Sequence, residues 1–110
     1  MKVKVVAKDV GIPSRKVRRF ADMVRGKKVE EALVVLRFMP SPGARAVAKA
    51  VQSAAANAEN NYQMPVESLR IVGIHVDQAR MLKRYRPQAR GRMSPILKRA
   101  SHVTVLVEED

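Results

Sequence analysis

Leu69-Arg70-Ile71-Val72-Gly73-Ile74-His75-Val76-Asp77 and His102-Val103-Thr104-Val105-Leu106-Val107 both place apolar residues at a period of two. Each reads as a strand with one buried face. After Met64-Pro65 the apolar period changes from 3.6 to 2, which marks a change from helices to sheet. If the two strands pair antiparallel about what lies between them, the turn falls near Ala89-Arg90-Gly91. Glycine there supplies the positive φ that a tight turn takes. An arm running from Asp77 to that turn reaches roughly 40 Å at about 3.3 Å per residue. A lone two-stranded hairpin is marginal in water and needs a sheath. The alternative is a loop with no defined tip.

The residues of that arm decide what the sheath is. No acid stands between Asp77 and Glu108, and eight cations fall within twenty positions: Arg80, Lys83, Arg84, Arg86, Arg90, Arg92, Lys98 and Arg99. Tyr85 to Pro95 holds two prolines and a glycine with no apolar periodicity. Such a segment buries too little apolar surface to offset the entropy of ordering it. It becomes ordered against a polyanion, and nucleic acid is the leading partner.

Working back toward the N-terminus, Lys2 to Lys8 reads as a strand with Val3, Val5 and Ala7 on one face. Gly11-Ile12-Pro13 breaks it, and Ser14 offers an N-cap for a helix from Arg15 to Arg25 stopped by Gly26. Val17, Phe20, Ala21 and Val24 share one side of that helix. Arg15, Lys16, Arg18, Arg19 and Arg25 spread over the other, with Asp22 the single acid among them. A run of charge is ordinarily a solvated face. Five cations against one acid favour an RNA-facing one.

A second helix fits Val29 to Phe38, with Val29, Ala32, Leu33 and Leu36 inward and Glu30 and Glu31 at the positive end of its dipole. Ser41-Pro42 opens a third with an N-cap and a proline at the first helical position. It runs to about Asn60 through Ala44, Val47, Ala48, Val51, Ala55 and Ala58, a face suited to close packing rather than chemistry.

At 110 residues the chain accommodates one domain, 1–110, with 78–99 as the extended basic hairpin. Twenty-two Lys and Arg against ten acids give +12 and a pI near 11.0, which points to a polyanionic partner or an anionic membrane. There is no cysteine, hence no disulfide, thiolate nucleophile or cysteine metal site. No run approaches the roughly 20 apolar residues of a membrane span, and the N-terminus lacks the apolar stretch of a signal peptide. Four aromatics, Phe20, Phe38, Tyr62 and Tyr85, are too few for a base-stacking platform.

Catalytic patterns are missing. His75 and His102 lie on the two strands with no acid or hydroxyl at triad spacing, and two histidines make an incomplete metal site. Asp9, Asp22 and Asp77 are isolated, and Gly26-Lys27 lacks the rest of a P-loop. The reading is no enzyme, no metal and no cofactor.

Three stretches, in order, resemble one family. Ile12-Pro13-Ser14-Arg15-Lys16-Val17-Arg18 is similar to the first-helix opening of the bacterial large-subunit ribosomal protein L-twenty-two family. Ser53-Ala54-Ala55-Ala56-Asn57-Ala58-Glu59-Asn60-Asn61 is similar to its helix signature. Leu82-Lys83-Arg84-Tyr85-Arg86-Pro87-Gln88-Ala89-Arg90-Gly91-Arg92, followed by His102-Val103-Thr104-Val105, is similar to its hairpin and last strand. The resemblance implies an α+β domain, three helices against a small antiparallel sheet with a long basic hairpin, in the cytoplasmic ribosome. It implies binding to large-subunit ribosomal RNA during assembly, contact with neighbouring ribosomal proteins, and a hairpin lining the nascent-peptide exit tunnel. The hairpin residues that the resemblance implies for RNA contact are Lys83, Arg84, Arg86, Arg90, Arg92, Lys98 and Arg99. Gln88, Ala89, Arg90, Gly91 and Arg92 form the implied tunnel-lining tip. The family usually has arginine at Gln88, and Glu-Gly-Pro where Gln78-Ala79-Arg80 stands here, which makes the arm's root more basic.

Two other classes are weaker. A DNA-binding protein would present a recognition helix with base-reading Asn, Gln or Arg at its start. A membrane-active domain would give its basic arm a continuous apolar face. Neither pattern is present.

Overall fold

A computed structural model describes residues 2–79, 82–87, 93–98 and 100–109. In chain order they form β1 (Lys2–Val10), α1 (Ser14–Val24), α2 (Val29–Arg37), α3 (Pro42–Tyr62), a 3-10 turn (Val66–Ser68), β2 (Leu69–Gln78), β3 (Leu82–Pro87), β4 (Met93–Lys98) and β5 (Ser101–Glu109). The helices pack on one face of a three-stranded antiparallel sheet of order β1-β5-β2. The fold is the α+β arrangement expected.

β2 and β5 pair from Leu69 opposite Glu109 to Gln78 opposite Ser101, and the Ala79 amide extends the ladder to the Ala100 carbonyl at 3.0 Å. The antiparallel pairing read from the two apolar patterns therefore stands. What the patterns do not show is that β5 is the central strand, with β1 on its other side from Lys2 opposite Glu108 to Val10 opposite Ser101. Being central, β5 buries Val103, Val105 and Val107 completely.

β2 is not a simple alternation. Leu69 and Ile71 face the core, and then Ile74 and Val76 do, because a bulge between Ile71 and Gly73 adds one residue and shifts the phase. Without it, Gly73 and His75 would occupy the buried face. Gly73 also lets β5 come close: a Cβ there would lie 3.1 Å from the Leu106 side chain.

The core lies between sheet and helices. α3 contributes Ala44, Val47, Ala50, Val51, Ala54, Ala55 and Ala58, small side chains that let it lie close to β1 and β5. α1 contributes Val17, Phe20, Ala21 and Val24, and α2 contributes Val29, Ala32 and Leu36. Ser41 caps α3 by accepting from the Gly43 amide. The expected Ser14 cap is a correction: Pro13 holds that position, in extended geometry, and Ser14 is the first helical residue with no capping bond. The Pro13 carbonyl accepts from the Lys16 and Val17 amides, which already starts the helix there.

β3 and β4 form a separate two-stranded antiparallel ladder, Leu82 opposite Lys98 through Pro87 opposite Met93. Pro87 and Pro95 are tolerated because each strand of a two-stranded ladder has an unpaired edge. The expected tip, Gln88, Ala89, Arg90, Gly91 and Arg92, lies outside the described residues, as do Arg80 and Arg99.

Candidate nucleic-acid interface

α1 is amphipathic enough to have one answer to which side faces the core. Burying Val17, Phe20, Ala21 and Val24 turns Arg15, Lys16, Arg18 and Arg19 outward, and all four are exposed. Their duties differ. Arg18 donates from Nη2 to the Val76 carbonyl at 2.8 Å. Arg25, at the far end of the helix, donates to the Ile74 carbonyl at 2.7 Å and to the Asp22 carboxylate at 2.8 Å. Arg19 lies over the Phe20 ring, its guanidinium carbon 5.8 Å from the centroid. No hydrogen bond or ion pair ties the side chains of Arg15 and Lys16 to any described residue.

The carbonyls taken by Arg18 and Arg25 lie on β2, an edge strand of the sheet. The same edge is covered further along by backbone. The Gly26 amide donates to the Ile71 carbonyl and the Ile71 amide to the Lys27 carbonyl, both at 2.9 Å. Gly26 reaches this position at φ +85°, which suits glycine. Lys28 bridges to Arg70, whose Nη1 donates to the Gly26 carbonyl at 3.0 Å. An unpaired edge invites another strand, and here arginines and a loop occupy it.

That arrangement extends the basic surface beyond what was read from the sequence. Lys27, Lys28 and Arg70 join Arg25, already read on the basic side of that helix, at the C-terminal end of α1, Arg70 being brought there by the sheet. The signal in the sequence is Gly26-Lys27-Lys28; Arg70 carries none, since it sits within an ordinary strand. At the other end of α1, a cleft separates Ser14, Arg15 and Arg18 from Gln78, Ala79 and Ala100 at the root of the arm. The two basic regions of the sequence thus meet, the helix face starting where β2 and β5 leave the body of the domain.

Of the arm's cations, Lys83, Arg84 and Arg86 have their backbone in β3 and Lys98 in β4. Arg80, Arg90, Arg92 and Arg99 lie outside the described residues. His75 and His102 fall on neighbouring strands, opposite Thr104 and Asp77 respectively. Among the described residues, no three His, Cys, Asp or Glu side chains group closely enough to hold a metal ion. No described helix is long and apolar enough to cross a membrane.

Residues 5–108 match the model of a family described as ribosomal protein L22p/L17e. The chain is 62% identical over 109 residues to the large ribosomal subunit protein uL22 of Dehalococcoides mccartyi strain 195, covering 99% of this chain and 100% of that one. It is 50% identical over 109 residues to the uL22 protein of Pelotomaculum thermopropionicum, covering 99% and 96%. Against that of Herpetosiphon aurantiacus the identity is 47% over 109 residues, with the same coverage.

Proposed function

The chain belongs to the ribosomal protein L22p/L17e family, and on that premise we propose that it holds large-subunit ribosomal RNA through one continuous basic surface and sends its arm along the nascent-peptide exit tunnel. As a family member it is a structural constituent of the large ribosomal subunit in the cytoplasm, associated with ribosomal RNA and ribosomal proteins. The family is not enzymatic.

The observation that carries the proposal is the junction of α1 with the arm. Arg15 and Arg18 line a cleft against the root formed by Gln78, Ala79 and Ala100, and Lys16 and Arg19 stand exposed on the same helix. RNA backbone running over the helix meets one acid on α1, Asp22, already paired with Arg25, and one exposed acid, Asp77, at the arm's root. The mechanism is neutralisation of phosphates, with arginine suited to bidentate contact and A-form RNA recognised by shape and backbone. The body, 1–77 and 100–110, anchors on RNA. The arm, 78–99, is ordered by the RNA around it and offers Gln88 to Arg92 to the tunnel wall and the passing peptide. The family resemblance and the arm's charge support that placement.

Cosedimentation with large subunits at moderate salt tests the reading. The wild-type chain travels with the subunit, and a chain with Arg15, Lys16, Arg19 and the arm cations changed to glutamine stays in the supernatant. Equal partition of both chains would remove the basic surface from the account.

A further inference from the structure

The cleft at the start of α1 contains a polar side chain with no structural task. Ser14 is 6 % exposed. Its hydroxyl has no hydrogen-bond partner among the described residues and does not cap the helix. No buried side-chain oxygen among those residues is both sealed from solvent and unpartnered, so the Ser14 Oγ keeps what exposure it has, and Ser14 lines the cleft.

Ser14 shares the cleft with Arg15 and Arg18. Because the Lys16 and Val17 amides both donate to the Pro13 carbonyl, at 3.0 and 3.3 Å, the amides of Ser14 and Arg15 are the unmatched donors of the first turn. They sit at the positive end of an 11-residue helix. Arg18 lines the same cleft with its guanidinium fixed by the Val76 carbonyl, which leaves its other N–H groups free to donate. None of the described residues lining the cleft is acidic. Donors without acceptors, on a positive background, define an anion seat.

We propose that this cleft seats a single phosphate of the RNA backbone, held by the Ser14 hydroxyl, the Ser14 and Arg15 amides and the Arg18 guanidinium. The proposal rests on the ribosomal-RNA reading above and deepens it from a basic surface to one built contact. It fixes the register of RNA where the helix meets the arm, a task that diffuse neutralisation by mobile side chains does not perform.

The test uses the full chain, 15N-labelled, with a large-subunit ribosomal RNA fragment in one arm and inorganic phosphate in the other. RNA should shift the Ser14 and Arg15 amide resonances. Ser14→Ala, which removes no existing hydrogen bond, should weaken RNA binding by about five- to tenfold at fixed salt. Its log–log salt slope should be unchanged because no cation is lost. Wild-type binding with Ser14→Ala equally tight, or with both amides unmoved, overturns the seat and leaves the ribosomal-RNA reading standing. Saturable shifts with inorganic phosphate but none with RNA would make it a free-phosphate site and overturn the proposal. If the wild-type chain does not bind the fragment at all, the ribosomal-RNA reading itself falls.

Discussion

Glutamine at Arg15, Lys16 and Arg19 together removes RNA contacts alone, whereas glutamine at Arg18 removes a phosphate contact and a support of the fold at once. The three are exposed and tied to no other element, so replacing them should change stability by no more than about 0.5 kcal/mol each. If each neutralises one phosphate, each contributes about 0.7 to 0.9 to the log–log salt slope, and the triple variant loses about 2 to 2.7. Between about 50 and 200 mM salt, wild-type affinity should then fall by roughly 20- to 40-fold more than the variant's. Arg18→Gln should behave differently. It breaks the 2.8 Å bond to the Val76 carbonyl on the sheet edge. Bonds from charged donors contribute about 1.5–3 kcal/mol when buried, and exposure of Arg18 reduces this to about 1 kcal/mol. Filter binding of a ribosomal RNA fragment across that salt range, with urea unfolding followed by circular dichroism, measures both quantities. A triple variant with an unchanged slope would make the face merely solvated. Arg18→Gln as stable as wild type would show that its tie to β2 does not support the fold.

Deleting Tyr85 to Met93 should leave the thermal melt of the body within a few degrees of wild type, since β3 and β4 share no strand with the three-stranded sheet. Ribosomes carrying only that form should assemble but show altered stalling in ribosome profiling; failure to assemble would make the arm an anchor instead. Gly43→Ala should lower the urea midpoint. The new Cβ would lie 2.9 and 3.0 Å from Phe20 ring carbons and 3.1 Å from the Lys16 carbonyl, overpacking that costs about 1–3 kcal/mol against a helix-propensity gain of about 1. An unchanged midpoint would mean that the ring gives way freely. Gln63 ends α3 at φ 55°, so Gln63→Gly should raise the melting temperature, the relief of about 1–2 kcal/mol exceeding the entropy that glycine adds to the unfolded chain. A lower melting temperature would count against strain there.

Local patterns were legible where a residue's neighbours in sequence are also its neighbours in space. Val17, Phe20, Ala21 and Val24 declare one helix face, and Ser41-Pro42 declares a helix start, because spacing and capping are local. Two features depend on distant parts of the chain and were not readable, and a third, the place of the first cap, is local but was misjudged by one residue. β5 is central because β1 pairs with it, and nothing in Lys2 to Lys8 names its partner. Arg18 and Arg25 turn to the β2 edge because the fold brings Val76 and Ile74 there; in sequence they are two cations among five. Ser14 looks like a cap until Pro13 is seen holding that place. The phase shift at Val72 left a trace, since Leu69, Ile71, Ile74 and Val76 do not keep strict alternation, but only the pairing with β5 identifies it as a bulge.

The pairing of β1 with β5 sets a schedule for synthesis. β1 comprises residues 2–10 and its only partner among the described strands comprises residues 101–109. Translation at about 5–20 residues per second makes the first strand wait roughly 5–20 s for the last. Through that interval α1, α2 and α3 can form their turns, but they have no completed sheet to cover. The apolar sides of Val3, Val47 and Val51 stay uncovered until β5 slots between its neighbours in a single late step. A growing chain that already carries most of its positive charge is therefore exposed to polyanions before it has a shape, and early capture by RNA competes with closure of the sheet.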